Sequence, residues 1–292
     1  TPSPLWSRGL GDVYKRQLYM SPEALMNQNK INLLKTLDIG LFVIDEAHCI
    51  SKWGPGFRKD YEALSQLKEI FPNANISAFT ATADKATRED IMEKLTNNNC
   101  ELVLQGFKRP NLSLSVYQKF NWKDQLLRFL SDRKGQSGIV YCLSRKNTEE
   151  VAEFLNQKGF KSIAYHAGQN QNVRKDNQNI FMTESGIVMA ATIAFGMGID
   201  KPDVRFVAHI SLPSNMESYY QEVGRAGRDG KPSDTILIYG LDDLFQRRRF
   251  IEEDDSNEEH KRMEHRRLDA LLASVSYTHL RAHETREDLV CR

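Results

Sequence analysis

No stretch of ~18 consecutive apolar residues occurs in the 292-residue sequence, so no helix that crosses a bilayer is expected and a membrane role has no support. Cysteine is scarce. Cys49, Cys100, Cys142 and Cys291 lie far apart without metal-ligand spacing, which argues against a zinc cage or a disulfide framework and suits free thiols in a reducing cytoplasm. An excess of one charge is also missing: 40 Lys and Arg offset 39 Asp and Glu to a net +1, so only local basic clusters could meet a polyanion. Internal repeats and low-complexity tracts are absent, which excludes a repeat array.

The two ends need separate treatment. Ser7–Gln17 (SRGLGDVYKRQ) and Val275–Glu284 (VSYTHLRAHE) are translations of the two opposite strands of a single DNA string. That string resembles the transposase mosaic end and adapter of sequencing libraries. Residues 1–17 and 274–292 are therefore read as adapter-like artefact and set aside. The remaining ~256 residues suffice for two compact units of ordinary size.

Short apolar runs alternate with amphipathic helical stretches, the pattern of an α/β protein with parallel sheets covered by helices. The runs are LFVIDEA (41–47), NISAFTA (75–81), ELVLQG (101–106), GIVYC (138–142), SIAYHAG (162–168), GIVMAA (186–191), VRFVAHI (204–210) and TILIYG (235–240). They are apolar throughout rather than alternating, as strands buried on both faces should be. Between them, Thr148–Lys158 places Val151, Ala152, Phe154 and Leu155 on one helical stripe, with Thr148 available to cap its start. Gly106–Asn111 (GFKRPN) breaks the pattern before a new strand at Leu112. The expected division is a first lobe over 18–106, a second over 107–245, and a charged helical segment over 246–273.

Four segments carry chemistry. In Leu41–Cys49 (LFVIDEAHC), a buried strand delivers Asp45 and Glu46 at its carboxyl end, where α/β sheets bind ligands. Two such carboxylates can divide nucleotide hydrolysis, Asp45 holding Mg²⁺ through water and Glu46 polarising the attacking water. In Gln221–Gly230 (QEVGRAGRDG), a helix over Tyr219–Ala226 would put Gln221, Arg225 and Arg228 on one face. That face is either a plain basic surface or a set of donors for a transferring phosphoryl group; Gly224, Gly227 and Gly230 would weaken a plain helix without return and favour the second. In Ala191–Pro202, Gly196 and Gly198 would let backbone approach a phosphate or ribose and Asp200 could accept from a hydroxyl, although a tight strand-to-loop turn explains the same residues. In Ser51–Tyr61 (SKWGPGFRKDY), Trp53, Phe57 and Tyr61 interleave with Lys52, Arg58 and Lys59, offering stacking and cationic surface to nucleic acid or, equally, core packing. Thr80 and Thr82 end the next strand with hydroxyls, and His166 ends another; each also reads as an ordinary strand-end residue.

Taken in order, DEAH, CISKWGPGFRKDY, FTATA, FKRPNL, GIVYCLSRKNTEEVAEFL, YHAG, ATIAFGMGIDKPDVRFVAHISLP and SYYQEVGRAGRDG resemble the motifs of RecQ DNA helicases. The resemblance implies superfamily 2 architecture: two RecA-like lobes that clamp ATP with Mg²⁺ and move 3′ to 5′ along single-stranded DNA. It implies an enzyme that unwinds duplex DNA in repair, recombination and replication, a monomeric motor located in the cytoplasm or nucleoid. Family roles then fall on Asp45 and Glu46 (Mg²⁺ and water), His48 with Thr80 and Thr82 (coupling), and Gln221, Arg225 and Arg228 (hydrolysis, the two arginines as fingers). Gly198 and Asp200 would join those arginines on the nucleotide. Ser21 and Pro22 followed by Glu23, Trp53, Phe57 and Arg58, His166 and Thr192 would meet DNA.

The departures are specific. Pro55 and Gly56 stand where the family's aromatic loop usually carries His-Asp, and no GxxxxGK[ST] occurs, so the first lobe is expected to be incomplete. Leu268–Ala273 resembles the opening of the family's zinc-binding segment, so zinc is expected only in sequence beyond it. Such a chain is expected to hydrolyse no ATP, lacking the phosphate cradle, and to leave apolar surface and unpaired strand edges in the first lobe. Another superfamily 2 helicase or translocase acting on RNA or DNA, or a non-catalytic DNA-binding module, are the alternatives.

Overall fold

A computed structural model describes residues 17–51, 57–81, 83–104, 106, 109–196, 199–255 and 257–287, with side chains described to residue 275. The chain divides into two compact units, residues 1–105 and 106–292.

In the first unit, helices α1 (Pro22–Leu25) and α2 (Gln28–Leu34) precede strand β1 (Leu41–Ile44). Helices α3 (Lys59–Glu62) and α4 (Leu67–Ile70), strand β2 (Asn75–Ala78) and helix α5 (Lys85–Thr96) follow. Strands β1 and β2 pair in parallel, Leu41 opposite Asn75 and Ile44 opposite Ala78. The Asp84 side chain caps α5 by accepting from Thr87 N at 2.7 Å, and Asn97 ends it in the left-handed region. One core forms from Ile31, Leu34, Ile44, Ala47, Ile50, Leu64, Leu67, Phe71, Ile91 and Leu95.

Two expectations are corrected here. Strand β1 is not buried on both faces, because Leu41 and Val43 stand 51% and 60% exposed while Ile44 is inside. Its pleat alternates, with one face covered by the described residues. ELVLQG forms no strand over the described residues 101–104 and 106, and Leu102, Val103 and Leu104 are exposed. An apolar run gains strand geometry only with a ladder partner for its N–H and C=O groups.

The second unit opens with β3 (Leu112–Gln118), α6 (Trp122–Leu130), β4 (Ser137–Tyr141) and α7 (Arg145–Gln157). It continues with β5 (Lys161–Tyr165), α8 (Gln171–Thr183), β6 (Ile187–Ala191), β7 (Val204–His209) and α9 (Met216–Val223). Strand β8 (Ser233–Tyr239), α10 (Leu241–Glu253) and α11 (Glu258–Glu287) complete it. All six strands run parallel in the order β3-β8-β7-β4-β6-β5.

Period-two alternation sends Val140, Val188, Ala190, Phe206 and Ala208 to the face covered by α6 and α7, and Ile139, Tyr141, Met189, Ala191 and Val207 to the other, which packs on Phe181 of α8. Burying one such side chain as fully as Leu155 contributes about 1.5–3 kcal/mol. Gly138 is required by close approach, since an added Cβ would lie 2.1 Å from the Phe206 ring. Helix α7 starts one turn earlier than expected: Ser144 caps it, accepting from Asn147 N at 3.1 Å, and Thr148 lies inside the helix with its hydroxyl on Ser144 O. Helix α11 is anchored by Leu268, Leu271 and Val275, which pack with Leu212, Tyr219, Val223 and Leu237. Val275 is thus part of the folded unit, although it falls within the 274–292 stretch set aside on sequence.

Candidate active site

The chemistry-bearing residues fall into two sets, one on each unit. In the first, β1 ends at Ile44 and the chain turns sharply through Asp45 and Glu46 into a 3-10 turn over Ala47–Ile50. Glu46 adopts φ 50° and ψ 42°, a left-handed conformation that is rare for a residue with a side chain. The turn is pinned to the chain just after β2, with Ala47 N donating to Phe79 O and Phe79 N donating to Ile44 O. Asp45 is exposed and accepts Glu46 N on Oδ1 at 2.9 Å.

His48 is buried, and its Nδ1 lies 2.9 Å from Thr80 Oγ1. The same ring nitrogen is 3.3 Å from Glu46 Oε2, close enough for attraction but without hydrogen-bond geometry. Glu46 Oε2 is therefore a buried carboxylate oxygen with no hydrogen-bond partner among the described residues. That orphan fits a water awaiting activation. No cluster of three or more His, Cys, Asp or Glu able to hold a metal occurs among the described residues. One or two carboxylates completed by waters and phosphate oxygens is how Mg²⁺ is usually held at nucleotides, so Asp45 fits that ion where a full protein cage would not.

The second set corrects an expectation. Helix α9 stops at Val223, because Gly224 caps it and Gly227 and Gly230 take positive φ (58° and 78°). Arg225 and Arg228 consequently lie on a glycine turn rather than on one helical face with Gln221, which is exposed near the end of α9. Arg228 Nη1 donates to Asp200 Oδ1 at 2.8 Å in a pair open to solvent, 36% and 83% exposed. Arg225 reaches inward, and its Nε is buried without a hydrogen-bond partner among the described residues. Its Nη2 occupies the space beside Gly196, where an added Cβ would stand 3.4 Å away.

Arg225 also meets Tyr141. Burial pushes the Tyr141 phenol far above its usual range, and the Arg225 guanidinium opposes that rise. The Tyr141 hydroxyl donates to Phe195 O at 3.0 Å. Its ring stacks on His209 (centroids 5.1 Å, 19°), and His209 Nε2 lies 2.6 Å from Glu222 Oε2. Sequence reasoning missed Tyr141, His209 and Glu222. They sit on β4, β7 and α9, and the only trace each left was a polar residue inside an apolar run or next to a basic motif.

The remaining candidates are placed as follows. Ser21 caps α1, accepting from Ala24 N at 3.3 Å, with Pro22 in the first turn; the Ser21 hydroxyl bond holds the Glu23 carboxyl below its usual range. Phe57 is half-buried and Arg58 exposed at the start of α3, where Arg58 N donates to Cys49 O. Thr192 follows β6 and donates its N–H to Tyr165 O. His166 is buried, its Nε2 3.0 Å from Glu149. Trp53, Pro55, Gly56, Thr82 and Gly198 lie outside the described residues.

Comparison with known proteins finds a match to each unit. The family described as DEAD/DEAH box helicase matches residues 11–91, and the helicase conserved C-terminal domain matches residues 118–230. The first match begins inside the Ser7–Gln17 stretch. The chain is 47% identical over 222 residues to the ATP-dependent DNA helicase RecQ of Pasteurella multocida, covering 76% of this chain and 35% of that protein. It is 38% identical over 273 residues to the ATP-dependent DNA helicase RecQ of Bacillus subtilis, covering 93% and 45%. It thus spans between a third and a half of the length of these relatives. A solved structure of the Mycobacterium smegmatis helicase Lhr bound to ssDNA and AMP-PNP shares the fold, at 20% identity and a TM-score of 0.55, covering 79% of this chain and 33% of that one. Identity of nearly one residue in two across both units exceeds what a common fold alone requires, and the chain belongs to the RecQ family of superfamily 2 helicases.

Proposed function

We propose that this chain supplies the ATP-hydrolysing motor of a DNA helicase that moves 3′ to 5′ on single-stranded DNA. The observation that carries the reading is Glu46 Oε2, a buried carboxylate oxygen without a hydrogen-bond partner among the described residues, on a strained turn directly beside the exposed Asp45. Asp45 would hold Mg²⁺ through water, and Glu46 would orient and polarise the attacking water. The bound ion neutralises phosphate charge. Arg228 would exchange its solvent-exposed Asp200 partner for a phosphate oxygen, a small loss because exposed pairs contribute only ~0–1 kcal/mol. Arg225 would complete the stabilisation of the transferring group, with Gln221, Gly198 and Asp200 beside the nucleotide.

His48, joined to Thr80, would report hydrolysis to the DNA-facing residues Ser21, Pro22, Trp53, Phe57 and Arg58. His166 and Thr192 would serve DNA from the second unit. Contacts of this kind read phosphate and stack bases, so little sequence preference is expected.

The test uses a longer protein that carries this sequence together with a phosphate-binding loop. Its ATPase should be stimulated by single-stranded DNA more than by RNA, and Glu46→Gln should lower the turnover by about 100-fold or more while leaving DNA binding intact. The 292-residue chain, having no GxxxxGK[ST], should turn over no measurable ATP. Equal stimulation by RNA would redirect the substrate, and full turnover in Glu46→Gln would end the reading.

A further inference from the structure

The GFKRPN stretch read in the sequence only as a break, and Arg109 lies four residues past the boundary between the two units, which falls after Gln105. The side chains of Arg109 and Asn111 nonetheless reach a segment more than a hundred positions away. Arg109 Nη2 donates to Ala226 O and Gly227 O, both at 3.1 Å, and its Nη1 to Gly224 O at 3.5 Å. Asn111 Nδ2 donates to Gly227 O at 2.8 Å and Lys231 O at 3.0 Å. Among the described residues no acidic side chain pairs with Arg109, and its guanidinium is held by these carbonyls.

The carbonyls concerned are well chosen for control of the arginines. Gly224 O belongs to the peptide that precedes Arg225, and Ala226 O lies just beyond it. Gly227 O, gripped by both side chains, belongs to the peptide that precedes Arg228. The end of α9 is where a helix leaves carbonyls without intrahelical donors and carries its negative partial charge, so a guanidinium is the apt partner. The turn has little stiffness of its own, with glycine at 224, 227 and 230. Gly227 is held besides by its N–H on Val204 O, and an added Cβ there would lie 2.5 Å from Asn111 Nδ2. Asn111 is itself fixed at the entrance of β3, accepting Ser233 N on its backbone oxygen at 2.9 Å.

We infer that Arg109 and Asn111 are positioning residues for Arg225 and Arg228, and that the segment joining the two units thereby sets where both arginines stand. This deepens the proposed function and rests on those arginines being the phosphate-facing groups, yet the geometry can be tested with no nucleotide present. A displacement of the connecting segment would be delivered to the glycine turn through five side-chain hydrogen bonds.

The experiment uses the ¹⁵N-labelled 292-residue chain. The Nε–H signals of Arg225 and Arg228 are identified by their loss in Arg225→Lys and Arg228→Lys. Arg109→Lys keeps the charge, but one ammonium group cannot span three carbonyls in a planar fork. Asn111→Asp turns a donor into an acceptor facing carbonyls, and Asn111→Ser is the milder change should either of the others fail to fold. In the folded variants both arginine signals should shift or broaden, and amide exchange over residues 227–230 should quicken by about tenfold or more, while β4, β6 and β7 keep their protection. A purely structural role would lower the melting temperature and leave the arginine signals in place. Unchanged signals and exchange in folded Arg109→Lys and Asn111→Ser would overturn the inference, whatever happens to ATPase in the Glu46→Gln test.

Discussion

Glu46 pays for its placement in backbone conformation: a left-handed residue with a side chain costs on the order of 1–3 kcal/mol, and here its carboxylate also keeps one oxygen buried without a hydrogen bond. Both costs sit on the side chain proposed to act on the attacking water, and the surrounding fold must offset them. Asparagine tolerates the left-handed region better and carries no charge on a side chain that is only 45% exposed. Glu46→Asn is therefore expected to stabilise the first unit by up to about 1 kcal/mol in urea unfolding followed by hydrogen exchange at β1. A loss of stability would mean that Glu46 is held by contacts stronger than the strain. The DEAH string announced these carboxylates at once, because a strand-end pair of acids is a local signal. The left-handed turn was not legible, since any Asp-Glu pair is compatible with an ordinary one.

At the level of elements, α9 is fixed to β7 by His209 and Glu222, both buried and 2.6 Å apart. Removing one partner strands the other away from water, a penalty of about 1–3 kcal/mol, whereas removing both leaves neither group unpaired. His209→Phe and Glu222→Leu, measured singly and together by chemical denaturation, should show a coupling of roughly 1–3 kcal/mol. Additive effects would mean that the two side chains do not act on each other. This pair, and the grip of Arg109 on the turn after α9, could not be read from sequence, because each joins residues whose proximity only the sheet order creates. The same limit explains the false strand at ELVLQG, where hydropathy was right and a ladder partner was lacking. The helix expected over Tyr219–Ala226 runs instead over Met216–Val223, since GRAGRDG was read for its arginines while its glycines ended the helix. Strands β4 to β8 were legible because continuous apolar runs are what a sheet covered on both faces demands.

For the molecule as a whole, the second unit carries a pH dependence of predictable sign. Burial pushes the Cys142 thiol and the Tyr219 phenol each up to about 12, and Tyr141 further still, so the folded state favours their neutral forms. An unfolded chain ionises a thiol near 9.0 and a phenol near 10.0. The unfolded state therefore binds fewer protons from about pH 9 upward, and stability must fall with rising pH until the folded groups ionise near 12. Below about pH 9 these three groups contribute no slope. The urea midpoint of the second unit, followed from about pH 7 to about pH 11, should be level with respect to these groups at first and then decline. A midpoint unchanged to about pH 10.5 would contradict their burial.

The pairing of β3 with β8 also bears on how the protein is made. Ser113 and Thr235, joined by a hydrogen bond, are 122 positions apart along the chain. On a ribosome, the first strand of that sheet must emerge and wait, its hydrogen-bonding edge bare, for many seconds of further translation before its neighbour arrives. Slow codons or a pause ahead of β8 would lengthen that wait, and holdase chaperones should be found on nascent chains at that stage and released once β8 is clear of the exit tunnel.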